Sequence, residues 1–289
     1  MAEYSIPVDI FNPGQVFASL GFLEAADVLL GDVEGGFDWT DYTNVRFILR
    51  TGNDRNPFKE VLEFIANANM VCLAPPNYKT SKSRSIRISE CFPSKHIKDK
   101  EFPCRFEKNG FAINISHWAD SSSRDNFKQF AGNQNPSETI LPQLQSGIKE
   151  LLKCDTYFIE NPFESMLPIG RISWKLDARS AWTARDVGYS LEDQKYALMS
   201  SPVVELYAAI GFENARPFVD LNNKLKVSYG VWSTVVAPLL CRPVIGGINT
   251  GIPTRIFEFI RNKSGKNGEY KQTTYANEVT IENNGVDEK

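Results

Sequence analysis

Apolar and polar positions alternate with a period of two in some stretches of this chain and follow a helical period in others. Tyr4 to Ile10 reads as a strand, and Asn12-Pro13-Gly14 turns it. Gln15 to Leu30 then reads as a helix, with Asn12 placed to cap it. Val16, Phe17, Leu20, Leu23, Leu29 and Leu30, with Ala18, Ala25 and Ala26, make that helix apolar nearly all round, so it is expected inside the protein. Gly31 to Phe37 reads as a turn region and Asn44 to Arg50 as a strand. Pro57 to Ala68 reads as a helix started at Asn56, and Met70 to Leu73 as a short apolar piece. Gly110 to Trp118 alternates as a strand, and Glu138 to Leu152 resumes a helical period.

The second half follows the same grammar. Arg171 to Leu176 alternates as a half-buried strand. Ser200-Ser201-Pro202 is a helix start, with Glu205 favouring the positive end of the helix and Gly211 expected to close it in a left-handed conformation. Leu225 to Leu240 reads as a long strand or hairpin and Arg255 to Ile260 as a strand. Lys263 to Lys266 reads as a turn and Glu269 to Val279 as a return strand. Phe17 to Ala26 echoes Tyr207 to Arg216 at four of ten positions, which fits either two similar halves or chance under similar packing demands. The expected fold is α+β, a mixed, largely antiparallel sheet packed with helices. It is divided into an N-terminal lobe (1–155) carrying a basic insertion (78–108) and a C-terminal lobe (156–289).

Composition narrows the function classes. Of 289 residues, 42% are hydrophobic and 23% charged, which suits a globular protein. No run reaches membrane-spanning length, and MAEYSIPVDIF has neither the basic start nor the apolar core of a signal peptide. Five scattered cysteines without a Cys-x-x-Cys pair fit reduced thiols in the cytoplasm. Cys91, Cys104, His96 and His117 match no metal spacing, so neither metal nor cofactor is expected. The phosphate loop, the nucleophile elbow and the zinc-binding His-Glu helix are all missing, and the reading leans away from an enzyme.

Net charge is −3, so a nucleic-acid role must rest on a local patch. Tyr78 to Lys108 supplies one, with nine Lys or Arg against four acids and aromatic residues between them. Lys79, Lys82, Arg84 and Arg87 are the first candidates for phosphate contacts. The same charges would also serve as a solvated insertion. Arg179, Trp182 and Arg185, in the stretch Asp177 to Asp186, suit a phosphate backbone or a base. The alternative there is that Trp182 packs under the loop while Asp177 and Asp186 neutralise the arginines. Asn12 and Gln15, at the start of the first helix, are outer candidates for an RNA or backbone contact.

IPVDIFNPGQVFASLGFLEAADVLL at Ile6 to Leu30 resembles the opening of a CRISPR-associated family of type I-U (I-G) systems. KLDARSAWTARDVGYS, SSPVVELYAAIGFENARP and SYGVWSTVVAPLL are similar to later parts of the same family. The resemblance implies a large, Cas-eight-like subunit of the crRNA-guided surveillance complex Cascade. Such a subunit helps recognise the protospacer-adjacent motif on double-stranded target DNA and helps recruit the helicase-nuclease beside the other subunits. Two rival readings remain: a crRNA-binding backbone or end-capping subunit of the same complex, and a small-molecule enzyme without a recognisable motif.

Overall fold

A computed structural model of the protein describes residues 1–72, 104–115, 140–154, 157–168, 173–180, 199–264 and 270–279. Its fold is α+β, and among the described residues every strand pairing is antiparallel. Strands β1 (Ala2–Pro7), β2 (Glu34–Asp38) and β3 (Arg46–Thr51) form one sheet in the order β1-β3-β2. Helix α1 (Pro13–Leu30) follows β1, and α2 (Pro57–Asn67) follows β3. The run β1-α1-β2-β3-α2-β4 has the element order of the split β-α-β motif. Here β4 (Asn69–Cys72) leaves the first sheet to pair with β5 (Cys104–Lys108), which pairs with β6 (Phe111–Ile115).

Helix α3 (Leu141–Cys154) follows, and the second half contributes α4 (Pro202–Asn214) and α5 (Pro238–Ile245). Its sheet has the order β12-β9-β8-β7, from β7 (Phe218–Val219), β8 (Lys226–Trp232), β9 (Thr254–Ile260) and β12 (Asn277–Val279). A small hairpin joins β10 (Asn262–Ser264) to β11 (Tyr270–Gln272). The β1-β3-β2 sheet meets the segment that follows β8 where Gly35 and Val236 exchange backbone hydrogen bonds of 2.8 and 3.1 Å. There the Trp232 indole N–H also donates to the Gly35 carbonyl at 2.9 Å.

The centre of the molecule is the contact between α1 and α4. Both are apolar all round, and α1 is buried from Pro13 to Ala26. Their contact is reciprocal. Gly21 lies against the Tyr207 carbonyl and Gly211 against the Phe17 carbonyl. Phe22 stacks on Tyr207 with centroids 4.0 Å apart, and Phe17 packs on Phe212 at 4.5 Å. Under the sequence echo Phe17 corresponds to Tyr207, Gly21 to Gly211 and Phe22 to Phe212. Each contact therefore maps onto its partner when the helices are exchanged. The repeated string supplies both sides of one interface, and the core around it includes residues on both sides of residue 155.

Four expectations are corrected. Gly31 to Phe37 is not only a turn, because Glu34–Asp38 forms β2. A Cβ on Gly36 would lie 2.8 Å from the Thr234 carbonyl, so small residues here let another segment pass close to the strand. Leu225 to Leu240 is not one long strand: β8 ends at Trp232 and α5 begins at Pro238. The described part of Arg171 to Leu176 is irregular rather than a strand, because its amides turn inward to a buried carboxylate. Gly211 does not close α4, which continues to Asn214 with an extended cap at Ala215. The position uses glycine's missing Cβ rather than its left-handed freedom.

Candidate functional site

The polar centre is built where β1 hands over to α1. The Asp9 amide donates to Gln15 Oε1 at 2.8 Å, and the Phe11 amide donates to Asp9 Oδ1 at 2.9 Å. Asn12 caps α1 as expected, with Oδ1 accepting from the Gly14 amide at 3.1 Å. The same oxygen accepts from the Ala178 amide at 3.1 Å, and Nδ2 donates to Asp177 Oδ1 at 2.9 Å. Asn12 is thus a fully buried latch between the α1 N-terminus and residues 177–178.

Residues 173–180 are held from the other side by α4. Glu205 Oε2 accepts from the Trp174 amide at 2.8 Å, and Oε1 accepts from the Leu176 and Asp177 amides at 3.0 and 3.1 Å. Lys175 adopts φ 59°, the left-handed turn that lets amides on both sides of it converge on one carboxylate. Burial and the nearby Asp177 charge push the Glu205 carboxyl up, while the amides and Lys175 pull it down. The balance stands at about 7.

Asp177 is fully buried and pairs with Arg179 at 2.7 Å. Arg179 also donates to the Phe163 carbonyl at 2.7 Å. So the loop arginine neutralises its aspartate, as one of the two sequence readings had it. Arg179, Asp9 and Gln15 all line a pocket of about 390 Å³ between the β1–α1 turn, residues 42–45 and residues 163–164. The structure therefore gathers three groups from distant parts of the sequence: the candidates Asn12 and Gln15, and the candidate Arg179. Lys79, Lys82, Arg84, Arg87, Trp182 and Arg185 lie outside the described residues, as do His96, His117 and Cys91.

Sequence reading missed Asp9 and gave Glu205 only a helix-dipole role. A signal existed for Asp9, since an aspartate two residues before an amide donor commonly folds back on it. None existed for Glu205, whose partners are backbone amides 28 to 31 residues away. Burial raises the Asp9 carboxyl more than the Phe11 and Asn12 amides and Arg179 lower it. Among the described residues no three His, Cys, Asp or Glu side chains are grouped to hold a metal ion. No described helix is long and apolar enough to cross a membrane. No protein-family model matches the sequence, and no curated protein or solved structure is significantly similar to it.

Proposed function

We propose that the protein is a non-catalytic subunit of a type I CRISPR surveillance complex, acting in the cytoplasm with crRNA and the other Cascade subunits. In this reading it contributes to binding of duplex target DNA beside the protospacer-adjacent motif and to recruitment of the helicase-nuclease. The observation that supports the reading is the local charge of the basic segment, together with the pairing of the residues that flank it. In the β4–β5 ladder Cys72 lies opposite Cys104, so the two described residues that flank 73–103 are paired neighbours. Residues 73–103 hold seven Lys or Arg against three acids, in a chain whose net charge is −3. Phosphate binding needs such local charge, while target sequence is read by RNA–DNA pairing and requires no active site. The strings that resemble the CRISPR-associated family cover α1 and α4, the helices at the core of the fold, and most of β8.

One observation favours the crRNA-binding backbone reading: the split β-α-β order of the first half, which RNA-recognition modules also have. Those modules stack bases on aromatic side chains of the open sheet face. Here the less buried positions of β3 are Arg46, Ile48 and Arg50, and Arg50 is paired with Glu3 at 2.8 Å. The stacking platform is not present on these strands, so the large-subunit reading stands first.

The test is the native mass of the tagged protein purified from its own cells, with and without ribonuclease. An RNA-containing particle with one copy of the chain is expected. Several copies would favour the backbone subunit, and a monomer indifferent to ribonuclease would overturn both. Within the particle, replacing Lys82, Arg84 and Arg87 with alanine is expected to flatten the salt dependence of duplex binding by up to about three counterions. An unchanged slope would remove those residues from the interface.

A further inference from the structure

The pocket of about 390 Å³ is lined by polar as well as apolar residues, and hydrogen bonds fix two of the polar side chains, Gln15 and Asp9, in place. Gln15 is only 6% exposed. Its Oε1 takes the Asp9 amide at 2.8 Å, which settles the orientation of the side-chain amide. Nε2 therefore points away from that amide, and it meets no acceptor among the described residues. Asp9 Oδ1 is used by the Phe11 amide, while Oδ2 takes no side-chain donor among the described residues. A side-chain donor and a carboxylate oxygen, on two residues that are joined by that 2.8 Å bond and both line the pocket, thus have hydrogen-bonding capacity to spare.

The aromatic wall is equally fixed. Phe11 and Tyr42 meet edge to face with centroids 6.2 Å apart. The Phe11 carbonyl accepts from the Ala276 amide at 2.8 Å. The Arg255 guanidinium lies over the Tyr42 ring at 4.3 Å, and the Tyr42 hydroxyl donates to Glu278 at 3.1 Å. A flat ligand would meet a surface that needs no reorganisation.

Charge excludes a phosphate from the interior. Asp9 and Glu164 both line the pocket, and its one cation, Arg179, is already paired with Asp177. A neutral heterocycle with a mixed edge fits better. Guanine alone among the common bases offers two adjacent donors, N1–H and the exocyclic amine, beside an acceptor, O6. Adenine and cytosine offer one amino donor beside a ring acceptor, and uracil offers one donor between two acceptors. We infer that the pocket binds a guanine base. Asp9 accepts from N1–H and the exocyclic amine, Gln15 Nε2 donates to O6, and the ring packs against Phe11 and Tyr42. This inference does not depend on membership of a surveillance complex. The guanine comes either from a single-stranded nucleic acid or from a free nucleotide.

The test is titration of the purified full-length protein with guanosine, inosine and adenosine, followed by calorimetry. Guanosine is expected to bind saturably at millimolar concentration or below. Inosine, which lacks the exocyclic amine, is expected to bind about tenfold more weakly, and adenosine not measurably. Asp9→Asn keeps the oxygen that serves the Phe11 amide, and Gln15→Glu keeps the oxygen that serves the Asp9 amide. Each variant should weaken guanosine at least about tenfold while still melting cooperatively. Equal binding of the three nucleosides, no binding at millimolar guanosine, or an unchanged affinity in Asp9→Asn would overturn the inference. A folded Gln15→Glu variant that binds guanosine as the wild type does would remove Gln15 from the site and overturn it as stated. Guanosine monophosphate and a short oligoribonucleotide with a single guanine distinguish the sources. Tighter, guanine-dependent binding of the oligonucleotide points to nucleic acid, and tighter binding of the monophosphate to a free nucleotide. The particle-mass experiment succeeds or fails separately, because it does not read base preference.

Discussion

Gly21→Ala is expected to destabilise the protein by roughly 4 kcal/mol or more, among the largest effects of any single methyl group. An ideal Cβ at Gly21 would lie 1.8 Å from the Tyr207 carbonyl oxygen and 3.1 Å from the Gly211 amide nitrogen. Both neighbours are helix backbone, so no rotamer change relieves the overlap, and α1 and α4 must separate by about 1 Å. That separation would also open the ring contacts Phe22–Tyr207 and Phe17–Phe212, at 4.0 and 4.5 Å. Loss of close packing over such an area adds to the strain itself. A fall in Tm of roughly 10 °C or more follows for a chain of this size. Gly211→Ala, with its Cβ 2.3 Å from the Phe17 carbonyl oxygen, is expected to behave likewise. Because both substitutions open the same gap, the double variant should cost less than the sum of the singles. Gly52→Ala, with nothing within 4 Å of its Cβ, is the control and should stay within about 0.5 kcal/mol of the parent. A Gly21→Ala protein that melts like that control would remove the helix pair from the centre of the stability argument.

That interface also shows how far the sequence could be read. Elements with a clean period and a local stop signal were legible. The Asn12 cap, the Asn56 cap with Pro57 behind it, and the Ser201-Pro202 start all form with the expected side-chain bonds. The burial of α1 followed from its lack of a polar face. The echo between Phe17–Ala26 and Tyr207–Arg216 was visible, but its meaning was not, because a string cannot say that two helices cross at their glycines. The glycines of β2 hid a strand, since Gly36 is small to make room for a segment almost 200 residues away and Gly35 for the side chains of Leu23 and Leu49. Of the site, the neutralisation of Arg179 by Asp177 was among the sequence readings because the partners are two residues apart. The latch from Asn12 to Asp177 spans 165 residues and left no periodic trace.

Glu205 gives the second large effect, and it depends on pH. The carboxyl stands at about 7 in the folded protein, against an ordinary value of 4.5. A group raised in the folded state contributes stability that is fully present below its unfolded pKa. That contribution is lost as pH rises through the folded value. The protein should therefore lose about 3 kcal/mol of stability between pH 4.5 and pH 7 from this residue, with little further change above. The lowered carboxylates Asp38, Asp41, Asp220 and Glu278 act with the opposite sign, and their windows lie at and below the ordinary carboxylate range. Asp9 is raised and works in the same direction as Glu205, so its variant Asp9→Asn must be measured in parallel. Glu205→Gln preserves an oxygen for the Leu176 and Asp177 amides but turns an amide group toward the Trp174 N–H. One buried donor is then left facing another donor, at a cost of about 1–3 kcal/mol. Glu205→Ala leaves three amides without their acceptor and is expected to cost more than twice as much, enough to threaten folding of a marginally stable chain. The decisive measurement is urea unfolding of the wild type and Glu205→Gln at pH 5, 6, 7 and 8. The gap between them should be widest at pH 5 and narrow by about 3 kcal/mol towards pH 8, because only the wild type titrates. A gap that stays constant across that range would mean that the three amides hold Glu205 ionised throughout, and that its burial is fully offset by the loop it clamps.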